Sequence, residues 1–194
     1  MRKASINRET TETQVSLEWN LDGSGQYDVD TGIPFLNHML ELFTRHGGFD
    51  LTLQAKGDIE VDLHHTTEDV GIVLGQAFVQ AIGEKRGIKR YATSFVPMDE
   101  ALSRAVIDVS GRPYLVFEAD LPQAKVGRFE PELVREFFQA FANHAQITLH
   151  LKLEYGSNTH HAIEALFKAW GIALAKAIRI KSGSTEIPST KGLL

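Results

Sequence analysis

The spacing of apolar and polar residues divides the chain into two similar runs of elements. After a polar stretch over residues 5–12, VSLEWNL alternates and leads through DGSG, a strong turn signal, into QYDVD. That pattern predicts a hairpin. Phe35, Leu36, Met39, Leu40, Leu42 and Phe43 form a broad helical stripe that starts at Thr31-Gly32-Ile33-Pro34, contains His38 and Glu41, and stops at Gly47-Gly48. FDLTLQA reads as a strand, GDIEVD as a second short one, and HHTTEDVGIVLGQAFVQAIGEKRG as a helix closed by glycine.

The second half repeats this order. SRAVIDVSGRPYLVFEADL reads as strand, turn at Ser110-Gly111, strand; QAKVGRFEPE as a polar loop; LVREFFQAFANHA as a helix; ITLHLKLEY as a strand; and HHAIEALFKAWGIALAKAI as a closing helix. Setting His64 on His160 puts Ala77 on Ala173, Ala81 on Ala177 and Ile82 on Ile178. With a two-residue shorter connection in the second half, His46 falls on His144, Leu51 and Leu53 on Leu149 and Leu151, and His38 on Glu136. The expected fold is therefore α+β, with internally duplicated ββαββα-type half-domains, helices on one face of the sheets, and one compact unit. The pseudo-repeats run approximately over residues 8–90 and 98–180, and a tail rich in Ser, Thr, Gly and Lys over 181–194 is expected to be loop.

The register also aligns a chemical motif. His64-His65-Thr66-Thr67-Glu68 recurs as His160-His161-Ala162-Ile163-Glu164, each at the start of a predicted helix. Residues four apart share a helix face while neighbours diverge by about 100°, so His64 pairs with Glu68 and His160 with Glu164, and His65 and His161 point elsewhere. The economical arrangement is two pseudo-symmetric metals, one on His64, Glu68 and His161, the other on His160, Glu164 and His65. His38 and Glu136 would each add one ligand. The chain has no cysteine, and imidazole with carboxylate suits Mn²⁺, Fe²⁺ or Zn²⁺. His46 and His144 read equally well as last-turn histidines facing a helix dipole, and His150 as structural.

Composition narrows the partners. A formal net charge of -5 disfavours nucleic acid, and an RNA-binding reading of the paired βα units lacks a basic stripe. There is no apolar run suited to a signal or a membrane span, which points to a cytoplasmic protein with no membrane partner. Arg90, Arg112, Lys168 and Lys191 stand beside the motifs, and Pro188-Ser189-Thr190-Lys191-Gly192 offers hydroxyls, N–H groups and a cation that suit a phosphate. A non-catalytic assembly clamped by metal would explain the histidines but leave these cations unused.

FLNHMLELFTRHGGFDL, DLHHTTEDVGI, SGRPYL, GSNTHHAIEALFKA and IPSTKG resemble the imidazoleglycerol-phosphate dehydratases of histidine biosynthesis, from about Arg8 to the C-terminus. The resemblance implies dehydration of imidazole glycerol phosphate to imidazole acetol phosphate, with two Mn²⁺ per active site. It further implies a homo-oligomer, a 24-mer built from trimers, with the metals at subunit interfaces. Carried over, the metal ligands are His38, His64, His65, Glu68, His160, His161 and Glu164, with Glu136 standing where family members have a histidine. The phosphate ligands are Arg90, Arg112, Lys168, Ser189 and Lys191, with Thr190 beside them. Glu12 matches a carboxylate that faces the substrate, and His46, at the edge of that site, is expected with it among the catalytic residues. His38, His64, Glu68 and His160 would border the substrate as well as the metals. The expected chemistry uses the imidazole ring as an electron sink, bound as imidazolate by two metals, and passes through a diazafulvene-like intermediate with Glu12 as acid/base group.

Overall fold

The computed structural model describes residues 2–194. Each half has the order βββαβα. The first half contains β1 (Lys3–Glu9), β2 (Thr13–Asn20), β3 (Tyr27–Asp30), α1 (Pro34–Gly47), β4 (Asp50–Gly57) and α2 (His64–Ile82). The second contains β5 (Tyr91–Met98), β6 (Ala101–Asp108), β7 (Tyr114–Glu118), α3 (Glu132–Ala145), β8 (Thr148–Tyr155) and α4 (Thr159–Ile178). The class is α+β and the duplication is retained, but the predicted ββαββα order is corrected in two places. A strand precedes the expected first one in each half, and GDIEVD forms turns rather than a strand.

The two sheets have equivalent orders, β1-β2-β4-β3 and β5-β6-β8-β7. β1 pairs antiparallel with β2, and β5 with β6, while β3 and β7 join their sheets parallel to β4 and β8. The predicted β2–β3 hairpin therefore does not form, because β4 inserts between the two strands. β6 and β7 are separated by β8 in the same way. The parallel pairing needs a crossover, and α1 and α3 supply it.

Strand alternation decides which face is covered. In β2, Thr13, Val15, Leu17 and Trp19 are buried and their neighbours are not, and β6 repeats the pattern. α2 packs on β1 and β2, α4 on β5 and β6, and the two helix layers meet across the halves as α1 against α4 and α2 against α3. Glycines permit that approach. A Cβ at Gly171 of α4 would lie 2.7 Å from the Phe43 carbonyl of α1, and one at its counterpart Gly75 of α2 would lie 2.7 Å from the Ala145 nitrogen of α3. Trp170 stacks on Phe43 with ring centroids 3.8 Å apart, so the core runs unbroken through both halves. No described helix is long and apolar enough to cross a membrane.

Candidate metal centre and its surroundings

Both paired histidines begin long helices. Asp62 Oδ1 accepts the His64 N–H at 2.7 Å, and Asn158 Oδ1 accepts the His161 N–H at 3.2 Å. These side chains satisfy donors that an open helix end leaves bare.

The cross-half contact of α1 with α4 builds one cluster. His38 Nε2 lies 3.4 Å and His160 Nε2 3.1 Å from Glu164 Oε2. Glu164 is almost wholly buried, and its other oxygen accepts a hydrogen bond from Lys168 Nζ. Burial pushes the Glu164 carboxyl up, but Lys168, His160 and His38 outweigh it and hold the group below its ordinary value. Phe35 supports His160 edge-on, with centroids 5.2 Å apart.

Two imidazoles and one carboxylate here fit a divalent ion. Ligands bound at about 2.1 Å stand roughly 3 Å apart when adjacent in the coordination sphere. The separations of 3.1 and 3.4 Å match that requirement. Among the described residues this is the only group of three such donors whose ligand atoms lie within 4.8 Å of one another.

The first motif is more open. His64 Nε2 and Glu68 Oε2 stand 3.9 Å apart with both side chains more than 40% exposed. Glu136 occupies on α3 the position of His38 on α1, and the Phe137 carbonyl lies against Gly71 of α2, yet Glu136 completes no triad with His64 and Glu68. The charged hollow beside His64 has a volume of about 370 Å³ and includes Asp62, Lys125, Arg128 and Glu130. Beside His38 the hollow is apolar, about 400 Å³, with Ile33, Pro34, Phe35 and Phe129 in its wall.

His65 and His161 do not join these groups within the chain. The predicted combinations of His161 with His64 and Glu68, and of His65 with His160 and Glu164, are thus not made by one subunit, since neighbouring residues leave a helix in divergent directions. His65 Nδ1 instead lies 2.9 Å from Asp58 Oδ2 and 3.7 Å from Glu12 Oε2. His161 Nδ1 lies 2.7 Å from Glu100 Oε2, and its Nε2 is 3.8 Å from Asp99 Oδ2. Asp58 raises the His65 pKa and Glu100 that of His161, chiefly by hydrogen bonding. Glu100 is itself held down at about 2, first by His161 and then by the Asn158 N–H.

The predicted phosphate ligands fall in two places. Arg90 donates from Nε to Asp108 Oδ1 at 2.7 Å and from one terminal nitrogen to the Pro188 carbonyl at 2.9 Å, fixing the start of the Ser189-Thr190-Lys191 tail. Arg112 reaches the same Asp108 at 3.6 Å and is largely exposed. Lys168 is elsewhere, with Nζ 3.7 Å from Met98 Sδ. Arg90 and Met98 bracket the extended strand β5, a separation of roughly 25 Å at 3.3 Å per residue. One chain therefore cannot close Arg90 and Lys168 on the same phosphate.

Glu12 is carried by the β1–β2 turn. Arg8 and Thr13, on either side, both bind Asp69 of α2, which fixes the turn to the helix. His46 is exposed on the last turn of α1; partial loss of hydration and then the Lys168 ammonium keep its pKa low. His144 Nδ1 is 2.9 Å from the Ala140 carbonyl, in accord with a last-turn histidine, and His150 is exposed on β8. Asp58, Glu100 and Asp108 were not singled out from sequence. The duplication carried back through the strands would have reached Glu100 as the counterpart of Glu12; no comparable signal marks Asp58 or Asp108.

Residues 31–174 match the family model described as imidazoleglycerol-phosphate dehydratase. Curated relatives of that name include one from Acetivibrio thermocellus, 58% identical over 193 residues that cover 100% of this chain and 99% of the relative. Another, from Bacillus subtilis, is 56% identical and fully covered on both sides. The crystal structure of imidazoleglycerol-phosphate dehydratase from Staphylococcus aureus superposes with a TM-score of 0.84 at 45% identity, over 92% of this chain and 99% of that one. The dehydratase structure from Pyrococcus furiosus gives 0.85 at 33% identity, over 97% and 100%.

Proposed function

Because the chain belongs to the imidazoleglycerol-phosphate dehydratase family, a family of hydro-lyases, we propose that it removes water from imidazole glycerol phosphate to give imidazole acetol phosphate in histidine biosynthesis. The observation that carries this reading at the site is the His38–His160–Glu164 donor group with Lys168 against its carboxylate.

His38, His160 and Glu164 would hold one divalent ion, and His64 with Glu68, assisted by Glu136, a second. When bound, such ions supply Lewis acidity at the nitrogens of the substrate ring; Mn²⁺ is the expected metal. The chain's own residues do the rest. Glu12, tied down by its neighbours and with a carboxylate that stands 3.7 Å from His65 Nδ1, takes and returns the proton. The ring's electrons expel hydroxide from the attached carbon through a diazafulvene-like intermediate. A proton then leaves the next carbon, and the resulting enol becomes the ketone. Arg90, Arg112, Lys168, Ser189, Thr190 and Lys191 would bind the phosphate, and His46 would border the substrate through its proximity to Lys168.

The distance along β5 bears on assembly. Arg90 and the tail at one end and Lys168 at the other would serve the same substrate only when a second copy contributes one set, and His65 and His161 would likewise complete metal sites on neighbouring copies. We infer a homo-oligomer, a 24-mer built from trimers, acting in the cytoplasm without nucleic acid or membrane.

The decisive experiment is conversion of imidazole glycerol phosphate by the purified protein, with elemental analysis alongside. Turnover that requires Mn²⁺ and stops on chelation is expected. No conversion by the Mn²⁺-loaded protein would refute the reading.

A further inference from the structure

The duplication places a glutamate in the same turn of each half. Leu17 pairs with Leu53 in the first sheet and Ala105 with Leu151 in the second, which sets Thr13 on Ala101 and Glu12 on Glu100. The two glutamates have different tasks. Glu100 Oε2 lies 2.7 Å from His161 Nδ1, while its Oε1 accepts the N–H groups of Asn158 and Ser157 at 2.8 and 3.2 Å. Glu12 remains 3.7 Å from His65 Nδ1 and is half exposed.

In the first half Asp58 occupies the position on the imidazole that Glu100 holds in the second. Its Oδ2 lies 2.9 Å from His65 Nδ1, its Oδ1 is buried without a hydrogen-bond partner, and its N–H donates to the Glu12 carbonyl at 3.1 Å. Asp58 belongs to a connection of six residues between Gly57 and His64, whereas four separate Tyr155 from His160. Counted from the strand, its counterpart is Gly156, where a Cβ would come within 2.8 Å of the Ala101 Cβ. Only the first half has room for this carboxylate.

An imidazole that binds a metal through one nitrogen carries its proton on the other, and a carboxylate at that N–H fixes both tautomer and ring orientation. Resting on the reading of His65 and His161 as metal ligands, we propose that Asp58 and Glu100 are positioning residues that hold these imidazoles protonated at Nδ1 with Nε2 presented to the metal, and that Asp58 thereby releases Glu12 for proton transfer. The longer β4–α2 connection is the device that separates the two tasks.

The assembled full-length enzyme, stripped with chelator and titrated with Mn²⁺ while free ion is followed by electron paramagnetic resonance, separates the outcomes. Asp58→Asn and Glu100→Gln should each weaken Mn²⁺ binding by about 10–100-fold, with both metal-free variants still folded by circular dichroism. Glu12→Gln should bind Mn²⁺ as the wild type does and lose turnover. Wild-type affinity in both positioning variants, or a Glu12→Gln that loosens the metal equally, overturns the proposal. The two carboxylates lie in separate connections, so if one variant fails to fold the other decides. A wild-type enzyme that neither binds Mn²⁺ nor converts substrate refutes the functional reading and this assignment with it, and does so before any variant is made.

Discussion

The two halves share a backbone plan but differ in how they balance charge around the repeated motif. In the second half, Glu164 is buried against Lys168 with His38 and His160 on its free oxygen. Setting His64 on His160 places Ile72 where Lys168 stands, and Glu136 replaces His38. The first motif consequently has no equivalent lysine on its own helix. A buried carboxylate needs a cation, and Glu164 has Lys168, whereas Glu68 is half exposed and keeps its hydration without one. This difference accounts for an assembled donor group at His160 and an open one at His64.

The strongest way to break the comparison is at the paired glutamates. Glu12→Gln should lower kcat by about 10²–10⁴-fold with metal content unchanged, read by turnover and elemental analysis. Metal loss in that variant would show that Glu12 and Glu100 still act alike. Next, Lys168→Met should destabilise the metal-free protein by up to about 3 kcal/mol, measured by urea unfolding in chelator, and adding Glu164→Gln should restore part of it. Glu68→Gln, its first-half control, should stay within about 0.5 kcal/mol. Equal costs at both positions would erase the distinction.

Packing should show the opposite result, with the halves alike. Gly75→Ala and Gly171→Ala force equivalent helix contacts apart and should each cost about 1–3 kcal/mol; a neutral result at either would mean that pair relaxes freely. The smallest effect concerns pH. The raised pKa values of His65 and His161 stabilise the metal-free fold below pH 6.5 and cease to do so as pH rises through the folded values. Metal binding has the reverse sign because the ligating nitrogen must be free of its proton. The stabilisation by Mn²⁺, seen as a rise in melting temperature, should therefore shrink from pH 8 toward pH 5, by about 1.4 kcal/mol for each tenfold loss of affinity. Equal metal occupancy at both pH values would contradict this.

The helices and the repeated motif were legible because periodicity of 3.6 and a stop at Gly47-Gly48 are local signals. The strands were less so. β1 and β5 lie at sheet edges and carry charged or aromatic residues on their open faces, which hides the alternation. DGSG correctly marked a turn but could not reveal that β4 passes between the strands it joins, since that pairing is decided by the crossover through α1. At the site, spacing along α2 and α4 found both His–Glu pairs. It could not find His38 against His160, which depends on helices from different halves, nor Asp58, whose carboxylate reaches His65 from a turn.

The pairing of α1 with α4 and of α2 with α3 also bears on ancestry. A half-length chain would display one wall of a core whose other wall belongs to its twin, so two such chains would have to pair to cover it. Fusion would turn that encounter between two molecules into one within a single molecule. After fusion the two copies of each residue could mutate separately, and an enzyme descended from a symmetric dimer could keep a lysine on one side and an isoleucine on the other.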